Sequence, residues 1–167
     1  MTGGGPHGTI TPIRPGSTGA VAAAVAELNQ RYAHFVDRRQ WDAWERLFTW
    51  SATLVLRGER IEGAKAIVAR IRAETDHFSR MRHLIFPPSV VNSDGPVVGA
   101  RAYFILRGTT TRGRDFEAMG VYEDQIDARR LRFESRSVEF DFFTARTTSW
   151  NWEAPPGGIL GASQERP

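Results

Sequence analysis

The chain has 167 residues, 41% hydrophobic and 25% charged, with a formal charge of +3 and a pI near 9.9. That length suits one domain with a real core; no apolar run nears the roughly 20 residues of a membrane-spanning helix, and the absence of cysteine excludes disulfides, thiol catalysis and thiolate metal sites. The basic residues are nearly all arginine, spread among nineteen acids, and cluster no more closely than Arg129, Arg130 and Arg132, so nucleic acid is not an expected partner.

Residues 1–19, rich in Gly, Pro, Ser and Thr, are expected to form a mobile arm. They lack the basic start and apolar block of a secretory leader, which points to the cytoplasm. Val21, Ala24, Val25, Leu28, Tyr32, Phe35 and Val36 recur at helical spacing, which predicts an amphipathic helix over about 20–38. A second helix is expected at 41–49, where Trp41, Trp44, Leu47 and Phe48 make an apolar face. "ATLVLRG" (52–58) is β-rich and turns into a brief second strand. "EGAKAIVARIRAET" (62–75) is helical, with Ala64, Ile67, Val68 and Ile71 on its buried side.

Four β-type runs follow, at 82–93, 96–108, 115–127 and 129–143, joined by short turns. Pro87 and Pro88 break the first run, which must bend there. Short connections make the sheet mainly antiparallel. Helices first and a meander last give an α+β fold, with three N-terminal helices on one face of a curved sheet. On the last run, Phe133 is expected on one face and Arg136, Val138, Phe140 and Phe142 on the other. The segment 144–167, with Trp150 and Trp152, is expected to be an extended tail.

Such a sheet encloses an apolar pocket in which polar groups are few and costly to bury. The candidates are Tyr32, Asp37, His83, Tyr103, Asp124 and Arg136. His83 opens a strand and is either a satisfied structural histidine or a general acid–base. Asp37 is oddly placed, because the C-terminal end of a helix dipole gives a carboxylate nothing. It could orient His83. Tyr32 is a core tyrosine or a donor to a developing oxyanion. Arg136 either pairs with Asp124 or Glu123 across the hairpin or faces a ligand. Asp124 and Glu123 are themselves expected as solvated strand residues. His7, His34, His77 and His83 share no metal-ligand spacing, so no metal is expected. Neither a phosphate-cradling loop nor a G-x-S-x-G nucleophile setting occurs.

"RYAHFVDRRQWDAWERLF", "IEGAKAIVARI", the "RH" opening a strand, "GVYEDQI" and "LRFESRSV", in that order, resemble the SnoaL-like branch of the nuclear transport factor two-like superfamily over about residues 20–143. The resemblance implies a cone-shaped barrel of three helices and a strongly bent sheet, commonly dimeric, with an interior pocket. Dehydratases of this group carry a tyrosine and an aspartate on the first helix and a histidine on the third strand. The matching positions here are Tyr32, Asp37 and His83, with Arg136 at a position where arginine is frequent on the last strand. Arg136, Tyr103, Trp41 and Phe104 are then expected around the substrate. Trp50 stands where the family often has an acid, the strand of Tyr103 and Ile105 lacks a second catalytic acid, and Arg101 lacks the nearby acids of an epoxide hydrolase.

The resemblance thus implies a cofactor-independent dehydratase, isomerase or cyclase acting on a hydrophobic carbonyl compound. The alternative is a non-catalytic ligand-binding or assembly subunit, such as the small subunit of a ring-hydroxylating oxygenase. A homodimer joined through the sheet is expected, because both faces of the last strand carry apolar groups.

Overall fold

In a computed structural model of the chain, residues 18–93 and 95–146 are described. Three helices come first: α1 (Thr18–Asp37), α2 (Trp41–Glu45) and α3 (Ala64–Thr75). Seven strands make one sheet: β1 (Phe48–Leu56), β2 (Glu59–Glu62), β3 (Phe78–Ile85), β4 (Ser89–Asn92), β5 (Val97–Thr110), β6 (Asp115–Asp127) and β7 (Arg132–Arg146). The expected arm lies outside the described residues except for Thr18 and Gly19, which begin α1, and the tail carrying Trp150 and Trp152 lies wholly outside them.

α1 buries Val21, Val25, Leu28, Asn29, Tyr32, Ala33 and Val36, the one-sided stripe that its sequence spacing demands. α2 is shorter than expected. It stops at Glu45, because Leu47 and Phe48 are taken into the sheet: the Phe133 amide donates to the Leu47 carbonyl at 2.8 Å, and Phe48 pairs with Phe133. Strand pairing here overrides a helical pattern too short to hold its own.

The sheet runs in the order β2-β1-β7-β6-β5-β3, with β4 also on β5. Among the described residues only the β1–β7 pair is parallel, which brings β1 beside β7. The prolines act as expected. β3 ends at Ile85 and β4 starts at Ser89, so one bent edge covers both halves of the long β5. The sheet curves around the helices without closing, and the core lies between the two layers.

Two β-bulges in β7 change which side chains face inward. Ile126 pairs with Phe133 and Gln125 with Ser135, leaving Glu134 as an extra residue; Gly120 pairs with Phe140 and Met119 with Phe142, leaving Asp141 extra. Each extra residue inverts the alternation of the strand. Phe133 therefore lies inside with Arg136, Val138 and Phe140, while Phe142 turns outward and is exposed. This corrects the simple alternation expected from the sequence. Gly120 sits at the second bulge, where a Cβ would collide with the Glu139 carbonyl oxygen and approach the Phe104 ring to 3.1 Å. Only glycine lets β7 cross that closely.

Candidate active site

Asp37 is the last residue of α1 and His83 lies near the end of β3. The packing of α1 on β3 brings them together. The His83 amide donates to Asp37 Oδ2 at 3.0 Å, and His83 Nδ1 lies 2.7 Å from Asp37 Oδ1. Both side chains are only 8% exposed. A carboxylate can only accept, so Nδ1 carries the proton and Nε2 is left as the basic nitrogen. These two hydrogen bonds offset the unfavourable end of the helix dipole, and both carboxylate oxygens of Asp37 are spent on one residue.

His83 and Tyr32 are walls of the same cavity, together with Leu54, Phe104, Ala118 and Tyr122 among others. Its lining is mostly apolar and its volume about 90 Å³. At the ~10–15 Å³ that one enclosed water needs, this holds several waters or a small group. Anything bigger than that would extend past the wall residues of the β1–β2 turn, the end of α3 and the start of β3, which form the rim. Arg39 shapes this rim: its guanidinium donates to the carbonyls of Thr75, at 3.2 Å, and Phe78.

Tyr32 stands edge-on to His83, with ring centres 6.2 Å apart, and is packed by Trp44, Phe48, Tyr122 and Phe133. Burial raises the Tyr32 hydroxyl pKa, against an opposing pull from the Arg136 cation, and burial pushes Tyr122 well above its ordinary value. Both phenols therefore stay protonated near neutrality and available as donors.

Arg136 is buried behind this wall. Its Nε and Nη2 donate to Asp124 Oδ1 and Oδ2 at 2.7 and 2.8 Å, and Nη2 also donates to Asn29 Oδ1 at 2.5 Å. The guanidinium carbon lies 4.1 Å from the ring centres of both Tyr32 and Tyr122 and 4.2 Å from that of Phe133. Burial alone would lower its pKa, but Asp124 outweighs that and raises it, so Arg136 remains a cation. Of the two roles open for Arg136, the geometry shows the cross-hairpin pair, with Asp124 rather than Glu123. Asp124 is itself buried, contrary to its expected place in solvent.

The other expected site residues divide. Phe104 is buried, stacks on Tyr122 and walls the cavity. Tyr103 is 60% exposed on the outer face. Adjacent strand residues cannot face the same way, and Phe104 takes the inner position opposite Gly120. Trp41 is half-buried and covers Trp44 from outside the cavity. Arg101 does have an acid beside it, Glu123, but the pair is exposed on the outer face. Three contributors escaped the sequence reading: Asn29, Tyr122 and the rim residue Arg57. Asn29 had a signal, a polar residue one helical turn before Tyr32 on the buried stripe. Tyr122 shares a strand face with Asp124, two positions on. Among the described residues no group of acids and histidines could hold a metal, and no helix is long and apolar enough to cross a membrane.

Three helices on a bent, open sheet make a cone-shaped α+β fold, with a His–Asp pair on the wall of its apolar cavity. The family described as the SnoaL-like domain matches residues 20–133, and the chain belongs to that family. Similar solved structures include a hexachlorocyclohexane dehydrochlorinase (LinA, type 2), with 17% identity and a TM-score of 0.71 over 83% of this chain and 95% of that one. A proposed scytalone dehydratase from Novosphingobium aromaticivorans is 15% identical, with a TM-score of 0.66 over 75% of this chain and 87% of that one. The β subunit of a proposed aromatic-ring-hydroxylating dioxygenase from the same species is 20% identical, with a TM-score of 0.63 over 79% and 95%. Identities this low establish the shared fold. No curated protein matches the sequence.

Proposed function

We propose that the protein is a cofactor-independent lyase or isomerase that removes a proton α to a carbonyl in an apolar compound. The observation that carries this is the Asp37–His83 pair, which presents a single basic nitrogen on an apolar cavity wall shared with a phenol. His83 Nε2 takes the α proton, and the C–H electron pair moves into the carbonyl to give an enolate oxygen. The Tyr32 hydroxyl donates to that oxygen, while Asp37 stabilises the imidazolium. In a dehydration the enolate collapses, the bond from the β carbon to its hydroxyl breaks, and His83 returns the proton to release water. In an isomerisation the proton goes back to a different carbon, and in an aldol closure the enolate carbon attacks a second carbonyl. The neighbours named dehydrochlorinase and dehydratase support an elimination.

All three outcomes share the first step, so the test targets it. Incubation in deuterated water with a panel of small apolar β-hydroxy ketones should give deuterium uptake at the α carbon by NMR, absent with His83→Ala. No exchange in any compound shown to bind would overturn the reading. It would favour the second one, a non-catalytic ligand-binding or assembly subunit, which the dioxygenase β-subunit neighbour supports.

We also propose a homodimer joined through the outer sheet face. Leu84 pairs with Ile105, Ile105 with Met119 and Met119 with Phe142, making one apolar row across four strands. Three of these four are 42–53% exposed, and Tyr103 in the next row is 60% exposed. Such a patch is uncommon on monomers, and a two-fold copy covers it with its own like surface. Light scattering at micromolar concentration should give twice the chain mass, and Met119→Glu should halve it. A monomeric wild type would sink this.

A further inference from the structure

Besides its tyrosines, the cavity wall carries three side chains with acid–base character, His83, Glu74 and Arg57. Arg57 does not belong to the catalytic pair and stands at the rim, 58% exposed, in the turn between β1 and β2. Its backbone is left-handed, with φ of 51°, and Gly58 follows at 80° between the paired Leu56 and Glu59. A two-residue hairpin turn of this kind suits asparagine or glycine at its first position far better than a long side chain. The strained backbone thus carries an arginine where the turn itself does not ask for one.

The surroundings engage that guanidinium only through one long ion pair and one ring. It lies 5.6 Å from the centre of the Phe140 ring, a cavity wall, which holds it over the opening. The nearest acid is Glu74, whose Oε2 is 3.9 Å away, too far for a hydrogen bond. The other oxygen of Glu74 is bound by Arg70, which also donates twice to Glu59, at 3.3 and 3.2 Å. Arg70 therefore bridges Glu74 and Glu59. Among the described residues, Arg57 donates no hydrogen bond.

An arginine fork at the mouth of an apolar cavity matches one chemistry, a planar anion attached to an apolar body. We propose that the substrate is an apolar carboxylic acid whose carboxylate pairs with Arg57 at the rim while its reactive carbon reaches His83. The small cavity volume fits this, since it encloses the reacting part and leaves the charged end outside. The inference rests on the cavity being the substrate site.

trans-Cinnamate and cinnamamide, which share an apolar body and differ in the anionic end, test it by calorimetric titration. The wild type should bind the acid about fivefold more tightly than the amide, the scale of a partly exposed ion pair. Arg57→Gln should erase that preference and leave amide affinity unchanged, which also shows an intact cavity. Arg57→Asn, whose side chain suits the left-handed backbone, should do the same. Equal affinity of the wild type for both probes, or a preference that survives both substitutions, would overturn the role of Arg57. His83 ring signals, identified by their loss in His83→Gln, should shift with either probe. If neither probe binds or shifts them, the cavity reading fails and takes this proposal with it.

Discussion

Alanine at position 83 is expected to lower turnover by about 10²–10⁴-fold, the usual worth of a positioned general acid–base. The loss should appear in kcat rather than KM, because the imidazole holds a proton in flight and supplies little of the apolar contact that binds substrate. His83 is also a structural partner, and its removal leaves Asp37 Oδ1 unpaired in a site only 8% open to solvent. That should cost about 1–3 kcal/mol of stability. His83→Gln separates the two effects, since its side-chain amide can still donate to Asp37 but cannot serve as the base. Asp37→Asn should lose less activity than His83→Ala. An asparagine oxygen still accepts from Nδ1, but it has no charge to stabilise the imidazolium, and its amide nitrogen meets the His83 N–H donor to donor. Full turnover in a folded His83→Gln protein would remove His83 from the mechanism.

The largest stability effect is expected at Asp124. Asp124→Ala should destabilise the fold by about 3–5 kcal/mol, the cost of leaving a buried charge without its partner. Against the roughly 5–15 kcal/mol that holds a domain together, this puts the variant near unfolding. Arg136 has no easy escape by losing its proton, because guanidinium is too basic. Asn29 retains one hydrogen bond to it, and the Tyr32 and Tyr122 rings hold it by cation–π contact, so the loss stops short of the full desolvation of a lone ion. Replacing both partners, Asp124→Leu with Arg136→Met, should recover most of the lost stability, since an apolar pair of similar volume carries no charge to satisfy. Urea midpoints measure all three proteins. Equal midpoints for the wild type and Asp124→Ala would show that the pair contributes nothing. The double variant should still turn over poorly, because Arg136 packs directly on the face of Tyr32.

How far each feature was legible depends on the range of the forces that set it. The buried stripe of α1, the buried side of α3 and the break at Pro87 and Pro88 were open to reading. Each rests on spacing or backbone chemistry within a few residues. The pairing of Asp37 with His83 was legible only in part: residue types and the family resemblance pointed to it, while the 2.7 Å contact is a product of α1 packing on β3.

Strand faces were less accessible. Tyr103 and Phe104 are neighbours, and nothing in their identities says which turns inward. The space left by Gly120 on the paired strand decides it. Likewise the bulges at Glu134 and Asp141 exist only as a mismatch between β7 and β6. Two inversions of alternation put Phe133 in the core and Phe142 outside, which no reading of one strand alone could supply.

By itself, then, the sequence determined the first and third helices, the break in the first edge at Pro87 and Pro88, and the α+β order, because local spacing and side-chain type carry that information. Tertiary structure alone decided that Arg136 serves Asp124 and Asn29, that Tyr103 and Trp41 stand outside the cavity, and that Arg57 stands at its mouth. Those outcomes depend on which distant strands and helices share a wall, because a buried charge such as Arg136 is held by the partners that packing brings within hydrogen-bond reach.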